Sequence, residues 1–231
     1  MAITFIGAIA LAANNPVSGD WIPAVGWEPG DVCVCWWYTY NNNKTITEPA
    51  TVTQKYDVAS ASCGRLFIGY RILQAGDTTF RWASISAANA TTVWGASVFR
   101  GVDGSGDPFE ADSGAPALFG NQINPNPPAV DPISENACAY PLFGKKNDYT
   151  SIIPPANYAS AGEGSSDDGS DASAGAAYRV LSSGNPEDPG AWTLGGGDAT
   201  DDGFVWTGAL KPAAEGKKTG TIFPVGNPIL G

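Results

Sequence analysis

The two halves of this 231-residue chain spell out a similar order of residues. Tyr70-Arg-Ile-Leu-Gln-Ala-Gly76 corresponds to Tyr178-Arg-Val-Leu-Ser-Ser-Gly184, and a tryptophan follows each, Trp82 after 12 residues and Trp192 after 14. Trp94-Gly-Ala96 and Trp206-Thr-Gly-Ala209 come next, again 12 and 14 residues further on. Earlier, Cys33-Val-Cys-Trp-Trp-Tyr38 has a loose counterpart in Ala137-Cys-Ala-Tyr-Pro-Leu-Phe143. Likewise Pro49-Ala50 before Tyr56 resembles Pro155-Ala156 before Tyr158. Ordered repetition on this scale means that each half supplies a similar set of elements to the fold.

Those elements read as strands. Val32-Cys-Val-Cys-Trp-Trp-Tyr-Thr-Tyr40 is dense in β-branched and aromatic residues and runs into Asn41-Asn-Asn43. Arg65 to Leu73 stops at Gln74-Ala-Gly-Asp77, Phe80 to Ile85 stops near Asn89, and Thr91 to Arg100 stops at Gly101. The 29 glycines and 18 prolines, with only 15% charged residues, suit short strands and turns rather than amphipathic helices. An all-β class follows, with a jelly-roll-like β-sandwich as its form. The paired tryptophans are expected to fill the space between two sheets.

The expected organisation is one sandwich over residues 1–212, made of halves at about 1–111 and 133–212. Residues 112–132, rich in Pro, Asn and Gly, read as a crossover loop. Residues 213–231 lie beyond the repeat and read as an extended C-terminal arm. Its apolar residues Ile222, Phe223, Val225, Ile229 and Leu230 would rest on a neighbouring subunit. At the other end, Met1 to Asn14 is apolar and ends Ala-x-Ala, but no Lys or Arg precedes the apolar run. It reads as a first strand rather than an export signal, with synthesis in a cytoplasm. No apolar stretch approaches the roughly 20 residues of a bilayer-spanning helix, so no membrane partner is expected.

Composition removes most catalytic chemistry. The chain has no histidine, which rules out Ser-His-Asp and Cys-His catalysis and His-liganded metal. A net charge of −11 with only 12 basic residues argues against a nucleic-acid groove. Phosphate-cradling glycine motifs are missing, and the glutamates sit in apparent loops rather than on a strand-borne acid array. A sandwich glycosidase is therefore disfavoured. Two acidic loops, Asp103 to Asp112 and Glu163 to Asp171, raise calcium as the one cofactor worth testing, against the plainer reading of solvated loops. Cys33, Cys35, Cys63 and Cys138 are too scattered for a zinc ribbon. They read as buried thiols, the alternative being disulfides formed in oxidising surroundings. Four tryptophans outside the repeated pairs, Trp21, Trp27, Trp36 and Trp37, are the candidates for stacking on sugar rings if the protein is a glycan-binding adhesin.

Several segments together carry a resemblance. Ala2-Ile-Thr-Phe-Ile-Gly7, Trp27-Glu-Pro-Gly-Asp-Val32, Gly69-Tyr-Arg-Ile-Leu73 and Val98-Phe-Arg-Gly-Val102 in the first half, with Ala177-Tyr-Arg-Val180, Asp188-Pro-Gly-Ala-Trp192 and Ala209-Leu-Lys-Pro212 in the second, look like phage-encoded β-sandwich proteins of the virion surface. The resemblance implies a head decoration, fibre or collar and tail component in the virion, with no catalytic residues to carry over. Its partners would be other virion proteins and copies of itself. Host-surface glycan would be the partner in the adhesin alternative.

Overall fold

A computed structural model describes residues 2–14, 16–84, 91–120, 122–166, 171–197 and 201–214. Sixteen strands occur among the described residues: β1 Thr4–Ala13, β2 Ser18–Trp21, β3 Val32–Thr39, β4 Ile46–Thr47, β5 Thr53–Ser60, β6 Gly64–Ile72, β7 Phe80–Ser84 and β8 Thr92–Arg100, then β9 Phe109–Asp112, β10 Ala117–Phe119, β11 Cys138–Lys146, β12 Ser151–Ile153, β13 Ala159–Ser166, β14 Ala172–Val180, β15 Thr193–Gly195 and β16 Gly203–Leu210. No helix occurs among the described residues, so none there is long and apolar enough to cross a membrane.

The repeat is written into the topology. One antiparallel sheet has the order β1-β8-β3-β6-β5. The second has β16-β11-β14-β13 in the matching places, with β9 and β10 both pairing β16 where the first sheet has β1. The protein is thus an all-β sandwich built from two similar halves, each supplying the main strands of its own sheet, with β9 from the end of the first half added to the second. The sheets meet face to face, with β13 against β1 and β8, and β14 against β8 and β3. Small sheets, β2-β7-β4 and β12-β15, repeat as well.

These small sheets explain why the central strands are apolar along their whole length. Every residue of β3 is buried, because one face looks into the sandwich and the other is covered by a further layer. Val34, Trp36, Tyr38, Leu66, Ile68 and Phe99 meet Tyr140, Leu142, Phe204 and Trp206 between the sheets. Alternate residues of β14 on this face are Ala172, Ala174 and Ala176, and their small size leaves room for the rings opposite. Cys33, Cys35, Trp37, Phe67 and Trp94 face the other way, under Trp21, Phe80 and Trp82. In the second half Phe143 and Val205 lie under Trp192 and Leu194. A polar tie crosses the middle of the core: the Tyr140 hydroxyl donates to Ser97 Oγ (2.7 Å), which donates to the Ala161 carbonyl (2.6 Å).

Two expectations need correction. The paired tryptophans do not all lie between the sheets: Trp206 does, whereas Trp82, Trp94 and Trp192 fill the outer layers. Trp94-Gly-Ala and Trp206-Thr-Gly-Ala differ by one inserted residue, and on a strand a single residue reverses the face. The segment 112–132 is also more than a loop. It contains β10, its Val130 pairs with Glu187, and the Pro125 carbonyl accepts the Trp192 N–H (2.9 Å). It therefore lines the outer layer of the second half. The C-terminal arm from residue 215 onward, with Ile222, Phe223, Val225, Ile229 and Leu230, lies outside the described residues.

Lys44, in the turn between β3 and β4, is buried, and burial pulls its ammonium down from the usual 10.5 to about 8. A base depressed on folding binds fewer protons folded than unfolded between those values, so it makes stability rise as pH climbs from about 8 towards 10. The buried thiols of Cys35 and Cys138, raised on folding, pull the other way over the same window, so the lysine's share is read as a difference: in urea unfolding the stability of the native protein relative to Lys44→Met is expected to grow by about 1–3 kcal/mol between pH 8 and pH 10.

Candidate functional site

The two long sides of the sandwich are closed by different chemistry. On one side β5 meets β9. A bulge between Gln54 and Tyr56 turns Lys55 outward, and its ammonium reaches Asp107 (2.6 Å) and Asp112 (2.8 Å). The Tyr56 hydroxyl donates to Asp112 as well (2.8 Å), and these contacts hold the Asp112 carboxyl below its ordinary value against the opposing effect of burial. Asp57 on the same strand pairs with Arg65 (2.5 Å). This side is latched and carries charge, as sheet edges commonly do to resist unwanted pairing.

On the other side β1 meets β13, and the corresponding bulge of β13, between Ser160 and Glu163, holds Ala161 and Gly162 where β5 has its lysine. Gly162 has φ 110°, and a Cβ there would lie 3.5 Å from the Cβ atoms of both Ala8 and Ala10. Small residues thus bring the strands together without any ion pair. A groove of about 300 Å³ lies along the contact, lined by Phe5, Ala8, Ala10, Ser160, Gly162 and Glu163. Its apolar end is fixed by Phe5, stacked on Tyr178 with centroids 4.3 Å apart. Its single charge is Glu163, which accepts a hydrogen bond from Ser160 Oγ.

Among the described residues β1 is the longest edge strand without a charge. It is ten residues long, Thr-Phe-Ile-Gly-Ala-Ile-Ala-Leu-Ala-Ala, with neither charge nor proline. It pairs with β8 from Thr4 to Ala13, broken only by a bulge at Ile6, and along its other edge no strand pairs with it among the described residues. Leu11 is 43% exposed on it. A long apolar edge with unpaired backbone groups is a template for another strand. The apolar run predicts a strand here but not that it forms an edge. The signal was present, since Ala2 to Asn14 is free of charge in a chain of net −11.

The residues singled out from sequence are not brought together. Trp21, Trp36 and Trp37 have no exposed surface, so no sugar ring can stack on them, and only Trp27 is partly exposed. Trp36 lies between the two sheets, and the outer layer accounts for the other two: Trp21 Nε1 donates to the Trp36 carbonyl (2.9 Å) from β2, and Trp37 Nε1 donates to Glu48 (3.2 Å). The acidic loop from Asp103 to Asp112 is turned onto the protein itself. Asp103 binds Lys211 (2.8 Å), Asp107 and Asp112 share Lys55, and Glu110 accepts from the Ile133 and Ser134 amides (3.0 and 2.9 Å). In the second acidic loop, residues 167–170 lie outside the described residues. Among the described residues no three of Cys, Asp and Glu converge on one point.

All four cysteines are free and buried, with the sulfurs of Cys33 and Cys35 3.8 Å apart on one face of β3. Burial pushes the Cys138 thiol up to about 12 and raises Cys35 well above its usual value. A thiol reagent at neutral pH is therefore expected to label none of the four in the native protein and all four in urea. Reducing agent is expected to leave the melting temperature unchanged.

The fold and this side of it define a sandwich with an open, uncharged sheet edge. No family model, curated protein or solved structure matches the chain.

Proposed function

We propose that the protein is a non-catalytic structural component of a bacteriophage particle, placed on the virion surface as a head decoration, fibre or collar and tail subunit. Its role is to stabilise the assembly by burying its free edge against other copies of itself and against neighbouring virion proteins. The observation that carries this reading is the uncharged, unpaired β1 edge, set against an equivalent side that is latched by Lys55. An edge of that length is a liability in a lone molecule and becomes an asset once covered. The resemblance to virion sandwich proteins supplies the setting. Contacts available only in the assembled state would add their full binding energy to particle stability.

The test is a particle made without this chain. Such particles are expected to lose infectivity at a lower temperature than complete ones and to recover when purified protein is added back. Unchanged assembly and unchanged heat resistance would overturn the proposal.

A further inference from the structure

Resting on that reading of the β1 edge as an assembly surface, we infer that its occupant is the C-terminal segment 219–231 of a second copy, added to β1 as an antiparallel strand. The other edges of the two main sheets are poorer acceptors: β5 carries Lys55 and Asp57, β9 carries Glu110 and Asp112, β13 carries Glu163, and β10, though uncharged, is three residues long. Among the described edge strands only β1 offers a long uncharged run, and the segment from Thr219 to Gly231 is the matching uncharged run on the donor side.

The prolines fit an edge position. On an extended strand alternate residues direct their N–H groups to opposite sides. Pro224 and Pro228 are four apart, so both missing donors fall on the outer side, and Phe223, Val225, Asn227 and Ile229 keep their N–H groups for β1. Charge fits as well. Lys217 and Lys218 stand just before the apolar run, and the groove beside β1 holds Glu163 at the bulge where the latched side of the molecule carries a lysine.

Geometry selects a second copy. The Ala213 N–H donates to the Gly101 carbonyl (2.8 Å), next to the rung where Arg100 faces Thr4, so the chain leaves the sandwich at the Thr4 end of its own β1. From there the segment could run along its own β1 only in parallel, against the antiparallel pairing of every other strand. Entering antiparallel would require first crossing the length of β1, about 34 Å at the usual rise, whereas residues 215–218 span at most about 14 Å. A neighbouring copy has no such constraint, and the 17 residues beyond Ala214 reach about 55–60 Å when extended.

The test uses the full chain carrying a photo-crosslinking phenylalanine analogue at position 223, with unlabelled and ¹⁵N-labelled copies mixed and equilibrated before irradiation. Mass spectrometry is expected to find adducts on residues 4–13, half of them joining a light chain to a heavy one. Adducts confined to one isotope, adducts elsewhere, or none would overturn the inference. A second measurement needs no analogue: amide exchange of β1 is expected to be at least tenfold faster in Phe223→Asp/Ile229→Asp than in the native sequence, and equal exchange would overturn it. If the double variant still assembles, this inference fails while the assembly reading stands. If the native chain is monomeric at every concentration, both fail.

Discussion

Replacing Gly95 with alanine is expected to destabilise the protein by about 2–3 kcal/mol in urea unfolding, a large effect for one methyl group. Gly95 lies on β8 directly across from Trp36 on β3, and a Cβ added there would be built into the indole ring. Both strands are central in the sheet, with β1 and β6 on their far sides, so neither backbone can retreat. Trp36 is fully buried, and Trp36→Ala is expected to cost about 3–5 kcal/mol through the cavity it leaves. The combined variant provides the sharper readout. Because the added methyl would occupy space the ring vacates, Gly95→Ala/Trp36→Ala should be less destabilised than the sum of the single changes by at least about 1 kcal/mol. Strict additivity would mean that the ring does not lie over Gly95. The same arrangement recurs in the outer layer, where Gly19 on β2 faces Trp82 on β7. A glycine under an indole is thus a repeated way of seating large rings in this sandwich.

Leu11→Lys is expected to weaken self-association at least tenfold, equivalent to about 1.4 kcal/mol, as read by sedimentation across a range of concentrations. Leu11 is 43% exposed, so the change should leave the melting temperature of the isolated subunit within about 1–2 °C. A lysine on an edge strand is a natural guard against pairing, and this substitution supplies the one β1 lacks. Its counterpart on the opposite side, Lys55→Ala, removes the latch between β5 and β9. That change should lower subunit stability and leave association through β1 unaltered. Unchanged sedimentation of Leu11→Lys would show that copies meet through another surface.

Much of the fold could be read from residue order. Strands over β3, β6, β7 and β8 were recognisable because their β-branched and aromatic runs end at Asn or Gly turns. The duplication was visible because Tyr70 and Tyr178 hold equivalent places, Tyr70 meeting Phe109 of β9 edge-on at 6.4 Å and Tyr178 stacking on Phe5 of β1. The outer layers were not readable. β12 and β15 are three residues each, too short for any periodicity to register, yet they bury Trp192, just as β2 and β7 bury Trp21 and Trp82. For that reason Trp21 and Trp37 looked available for a ligand when they belong to the outer layer's core, while Trp36 points the other way, between the two sheets. The open side of the sandwich was hidden for a different reason: which edge is latched depends on Lys55 meeting Asp107 and Asp112 more than fifty residues away, and a strand pattern holds no information on such pairings.

The most direct test of the central claim, that this protein is a structural part of a particle, is to count it. Quantitative mass spectrometry of phage particles purified from cells that express the chain, with the major capsid protein as reference, is predicted to find it in fixed stoichiometry. A count comparable with the capsid subunits would place it on the head lattice, and a smaller, symmetry-related count would place it in a fibre or collar. Complete absence from particles, with the protein found free in the lysate, would contradict the account.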